Sequence, residues 1–136
     1  RPDAADARGA AMTTLLLVML GSGAGAAARW WVDQLVSARL RAPLPLGTML
    51  VNVCGSALLG LILGAISVGA ASPELVALVG TGLCGGFTTY STFAFETVRL
   101  TEDGRDTVAL TNVIGSLVAG LTATALGWML GAALAG

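Results

Sequence analysis

The residues of this sequence that can do chemistry are amides, hydroxyls and backbone, not acids, bases or metal ligands. Asn52 stands in an apolar stretch with Thr48 one helical turn before it and Ser56 one turn after. Asn112 and Ser116 repeat that spacing near the C-terminus, and Thr88-Thr89-Tyr90-Ser91-Thr92 sets five hydroxyl-bearing residues in succession. The Asn52 amide in hydrocarbon costs free energy unless it is paired, so a partner or a wet cavity is expected for it. There is no His, no CxxC pattern and no carboxylate cluster with metal-ligand spacing, so His-based catalysis and transition-metal chemistry are excluded. Cys54 and Cys84 lie in hydrophobic segments and read as small packing residues. Neither phosphate-loop pattern, GxxxxGK[ST] or GxGxxG, is present. With a net charge of −1 and no basic run, nucleic-acid binding is excluded as well.

The elements that must position these groups belong in lipid. The chain is 55% hydrophobic and 11% charged, outside the balance of a soluble domain. A helix crossing the hydrocarbon core needs roughly 20 apolar residues, and four segments qualify: Thr13 to Val32, Leu46 to Ala71, Leu75 to Phe95 and Val108 to Ala135. The expected organisation is a polar, frayed tail over 1–11 followed by one four-helix transmembrane domain over 12–136. The links Asp33 to Pro45, Ser72 to Glu74 and Arg99 to Thr107 leave no room for a soluble catalytic domain, so the chain is not read as an enzyme. Four crossings put both termini on one side and Arg39, Arg41, Arg99 and Arg105 on the other. The positive-inside rule favours the second side as cytoplasmic.

Rows of small or polar residues four apart mark faces where membrane helices approach closely. They are Gly21, Gly25 and Arg29; Thr48, Asn52, Ser56, Gly60 and Gly64; and Asn112, Ser116 and Gly120. The third segment differs, with four glycines in Gly80-Thr81-Gly82-Leu83-Cys84-Gly85-Gly86 directly before the hydroxyl run. Neither run propagates a helix well, and the segment is expected to break close to Gly85 through Thr88. A break at membrane depth requires protein, water or an ion to satisfy the freed backbone. Composition equally allows a continuous helix with a glycine contact face and hydroxyls bonded back to their own carbonyls.

The strings GTMLVNVCGSALLG, Gly47 to Gly60, and GLCGGFTTYSTFAFE, Gly82 to Glu96, resemble the second and third helices of the Fluc (CrcB) family of fluoride channels. The spacings of Gly25, Arg29 and Trp30, and of Asn112 and Ser116, are also similar, and the resemblance runs from about Met12 to Gly131. It implies an all-α membrane protein: four transmembrane helices, the third broken, in an antiparallel, dual-topology homodimer in the inner (plasma) membrane, with membrane lipid around it. It further implies passive fluoride export through two pores and a structural sodium ion at the two-fold axis, held by the backbone carbonyls of Gly85 and Thr88. The fluoride pathway it implies takes in Asn52, Tyr90, Phe93, Ser116, Thr89, Ser91 and Arg29.

These residue types fit a strongly hydrated anion, whose water must be replaced by close donors, with aromatic ring edges adding weak positive contacts. Tyr90 stands where the family usually has Phe, and the arginine bias exceeds that of a protein inserting equally in both orientations. Arg29, beside Trp30 and Trp31, also suits an interfacial anchor, and Glu96 has the i+3 spacing for an ion pair with Arg99. The rival reading is a small proton-coupled multidrug-type exporter. It would need a carboxylate deep in a helix, and the first, second and fourth segments have none. A non-transporting assembly subunit would explain the glycine rows but not the GGFTTYSTF string.

Overall fold

The computed structural model describes residues 4–40 and 42–136, so Arg41, counted above among the arginines of one side, lies outside the described residues. Within them, helix α1 spans Ala4–Arg39, α2 Leu46–Ser67, α5 Tyr90–Glu102 and α6 Asp106–Ala135. Between α2 and α5 the chain forms a first turn, α3, at Pro73–Leu75, a π-helical stretch at Val76–Leu83, and a short α4 at Cys84–Phe87. Among the described residues three helices, α1, α2 and α6, are long and apolar enough to cross a membrane.

The first helix is longer than its apolar segment at both ends. Residues 4–11, expected as a frayed tail, continue α1, because the alanines of this stretch favour helix strongly. At 36 residues the helix measures about 54 Å, well beyond the roughly 30 Å of hydrocarbon. The second helix stops short of the expected Ala71. Gly69 takes φ +74°, and the amides of Ala70 and Gly69 donate back to Ala65 O and Ile66 O, closing the helix in a left-handed glycine cap. The same device ends α5: Gly104 has φ +71°, with Arg105 N donating to Leu100 O and Gly104 N to Thr101 O.

Two glycine seams assemble the bundle. Along α2 and α6, a Cβ on Gly60 or Gly64 would collide with the backbone of Thr124 or Trp128, and one on Gly127 or Gly131 with the backbone of Ala57 or Leu61. Along α1, Gly21 and Gly25 meet the backbone of Leu78, Leu83 and Phe87, while Gly86 lies on Ser22. The Ser22 hydroxyl donates to Gly82 O across this seam. Without side chains between them, backbones approach closely enough for dispersion and weak polar contacts to hold helices together in lipid. At the opposite end of the bundle from the Gly69 turn, an Arg105 guanidinium nitrogen donates to Pro43 O at 3.0 Å, tying the two arginine-bearing links together.

Candidate functional site

The third segment does break, at the far edge of the expected window. Gly85–Phe87 stay helical, and the two extended residues are Thr88 (φ −79°, ψ 159°) and Thr89 (φ −148°, ψ 119°). Gly82 and Gly86 are held in the α1 seam, whereas the β-branched threonines prefer extended backbone. A helical glycine contact face precedes the break, so the segment is not the continuous helix that composition also allowed. Thr88 Oγ1 does bond back, to Cys84 O at 2.9 Å, and Thr89 Oγ1 caps the new helix by accepting from Thr92 N at 3.2 Å.

Asn52 supplies what the break removes. Thr89 N donates to Asn52 Oδ1 at 2.8 Å, and Asn52 Nδ2 donates to Thr89 O at 3.1 Å. One primary amide thus serves both polar groups of one interrupted peptide residue, a complete pairing for a buried backbone that lipid cannot solvate. One of the two Nδ2 protons is used here, and the other remains available as a donor. An asparagine in hydrocarbon was expected to have a partner; the sequence did not reveal that the partner would be the break itself.

The break also redirects amides away from two carbonyls. In an unbroken helix Gly85 O would accept from Thr89 N and Thr88 O from Thr92 N. Thr89 N instead goes to Asn52 and Thr92 N to the Thr89 hydroxyl. Gly85 is exposed, and a Cβ there would meet nothing within 4 Å. Carbonyls released from a helix ladder on an open face are a suitable donor set for a hard monovalent cation, so these residues fit the sodium that the resemblance implies.

A cavity of about 550 Å³ opens beside the break, lined by Asn52, Thr89, Tyr90, Phe93 and Ser116 together with Gly85 and Thr88. The rings of Tyr90 and Phe93 lie 6.1 Å apart at 45°. Ser116 Oγ is buried with no hydrogen-bond partner, an orphan donor at the wall. The flank is open, since Tyr90 remains 81% exposed.

Two expected residues lie elsewhere. Arg29 lines a second cavity, about 220 Å³, with Trp30, Asp33, Thr48 and Thr92. Thr89 borders both cavities. Ser91 is exposed and lines neither, its hydroxyl lying 3.4 Å from that of Thr89. Glu96 also departs from expectation. Among the described residues no ion pair joins it to Arg99. Arg99 is exposed while Glu96 turns inward toward Thr48 and Asp33, leaving Oε2 buried and unpartnered. Helical spacing alone put the two charges in reach, and packing of α5 on the start of α2 separated them. Cys84 is buried as expected of a packing residue, Cys54 is exposed, and both are free thiols.

A family model described as "CrcB-like protein, Camphor Resistance (CrcB)" matches residues 16–128. The chain is 51% identical over 112 residues to "Fluoride-specific ion channel FluC 1" of Streptomyces avermitilis, covering 82% of this chain and 90% of that one. It is 49% identical over 126 residues to the protein of the same name from Frankia casuarinae, covering 89% and 98%. With "Fluoride-specific ion channel FluC 2" of Natronomonas pharaonis it shares 48% over 124 residues, covering 91% and 99%.

Proposed function

Because the chain belongs to the CrcB-like family, and because about half its residues are shared with fluoride-specific ion channels, we infer that it is a fluoride channel whose ion path follows the cavity at the Thr88–Thr89 break. One observation carries the placement of the path: the break gathers Asn52, Tyr90, Phe93 and Ser116 around a single space. Fluoride entering there exchanges water for the free Asn52 amide proton, the orphan Ser116 hydroxyl and the positive ring edges of Tyr90 and Phe93. Each contact is weak, and several in series let the ion enter and leave. Arg29, in the neighbouring cavity across Thr89, raises the local anion concentration without a tight site in the path.

The open flank supports a second copy as the missing wall. In this reading two subunits meet antiparallel across the broken helices, the third segment crosses the membrane as two half-helices, and each dimer holds two pores. Gly85 and Thr88 carbonyls from both subunits hold a sodium ion, which supplies a fixed positive charge at the interface. The protein resides in the cell's inner (plasma) membrane and lets fluoride out passively. Growth of a fluoride-sensitive bacterium stripped of its own fluoride export tests the function. Expression of this chain should restore growth in fluoride; growth unchanged from the empty vector, with the protein present in the membrane, contradicts it.

Substitutions at two positions probe the arrangement. A valine at Gly85 has room within the protomer, so Gly85→Val should fold but lose the dimer on a sizing column, because its side chain meets the second copy. Persistent dimers with normal flux would remove Gly85 from the interface. At Tyr90 the ring edge, not the hydroxyl, faces the ion. Tyr90→Phe should keep efflux within about twofold while Tyr90→Ile loses about tenfold or more, each tenfold being ~1.4 kcal/mol of barrier. A large loss in Tyr90→Phe would assign the role to the hydroxyl.

A further inference from the structure

Tyr90 and Phe93 sit on α5, a helix of 13 residues that begins at the break. Its start is fixed by Asn52 from α2 through Thr89. A second asparagine, Asn112 on α6, reaches the same helix one turn past Phe93. Asn112 is 1% exposed, and its Nδ2 donates to Thr97 Oγ1 at 2.9 Å. Thr97 Oγ1 in turn donates to Phe93 O at 2.7 Å. Neither Asn112 nor Thr97 lines the cavity, while Val113 and Ser116 of α6 do.

We propose that Asn112 and Thr97 are positioning residues for the Phe93 ring, a hydrogen-bonded relay from α6 to the Phe93 carbonyl that sets where the ring stands along the fluoride path. The inference rests on the reading of the cavity as that path. Donation by Asn112 orients the Thr97 hydroxyl and polarises it, strengthening its own bond to Phe93 O. The two asparagines bracket the aromatic pair, so α5 is pinned in both translation and rotation. The geometry matters because the ring offers the anion only its edge, and rotation of the short helix would present its negative face.

The test uses full-length protein in liposomes and reads fluoride efflux from fractions that elute as dimers. Thr97→Val, nearly isosteric, removes the relay without touching the Asn112 amide, and Asn112→Leu removes its other end, so either variant recovered as a dimer reports on the same bond. Efflux should fall about tenfold in each, and the double variant should be no slower than the worse single, the non-additivity of residues acting as a unit. Thr97→Ser, which keeps the hydroxyl, should retain efflux within about twofold of the parent. Phe93→Leu should itself lose about tenfold or more, and adding Thr97→Val to it should cost less than about twofold further. Parental efflux in Phe93→Leu would overturn the cavity reading and the relay with it. A loss in Phe93→Leu beside parental efflux in Thr97→Val, or a Thr97→Val loss that multiplies undiminished on Phe93→Leu, would overturn the relay alone.

Discussion

Asn52→Asp is expected to abolish fluoride efflux at pH 7 while the protein still elutes as a dimer. Asn52 holds the broken backbone with one acceptor and one donor. Ionised aspartate keeps the acceptor for Thr89 N but turns a second oxygen toward Thr89 O, where the amide had donated. It also places a negative charge beside the anion's route. Even a partly screened repulsion there amounts to several kcal/mol, and each ~1.4 kcal/mol of barrier is a factor of about ten in rate. Efflux should therefore fall by about two orders of magnitude or more. A protonated aspartate would regain one donor and lose the charge, so the measurement is made near pH 7 and again near pH 5, and flux returning at the lower value alone would identify the charge as the block. Parental efflux at both pH values, with normal elution, would leave Asn52 a packing residue.

Gly86→Val is expected to impair assembly, through a different cause. A Cβ at Gly86 collides with the Ser22 carbonyl and its neighbouring backbone, atoms that cannot rotate aside. The valine must push α1 away from α4, opening the seam that fixes the helix just before the break. Overpacking a close-packed contact costs about 1–3 kcal/mol and often more where the obstacle is backbone. Gly23 on the same helix α1 is the control, since a Cβ there meets nothing within 4 Å. Yield of monodisperse protein in mild detergent should drop about tenfold for Gly86→Val, as a loss of ~1.4 kcal/mol or more implies, and hold for Gly23→Val. Equal yields would show that the seam is not what sets the helix.

Residue type made much of this site legible, and residue spacing made less of it so. Asn52 in an apolar helix announced an unmet amide, and the threonine run after a glycine cluster announced a weak helix. Both meet in the Asn52–Thr89 pairing. The break falls at Thr88–Thr89 instead of beginning at Gly85 because Gly82 and Gly86, on either side of Gly85, are locked against the backbone of α1, a fact of tertiary packing that local propensity does not contain. The π-helical turn at Val76–Leu83 left no signal distinguishable from other glycine-rich helix. Glu96 was misread for a similar reason. Its i+3 partner was visible in the sequence, while the Thr48 and Asp33 groups it faces arrive from two other helices. Ser91 shares the composition of the hydroxyl run but lines neither cavity, since consecutive residues on a helix cannot all face one side. Thr97, at a position that any surface threonine could fill, became meaningful only through its bonds to Asn112 and Phe93.

The most direct test of the account is fluoride efflux from liposomes loaded with potassium fluoride, followed by a fluoride electrode in the surrounding medium, with and without the potassium carrier valinomycin. A channel moves charge, so efflux through the parent protein should be rapid once valinomycin releases potassium alongside it and should stall without it, with chloride retained under the same conditions. Efflux that proceeds equally without valinomycin and only with a proton gradient, or chloride leaving as fast as fluoride, would contradict a fluoride-selective channel.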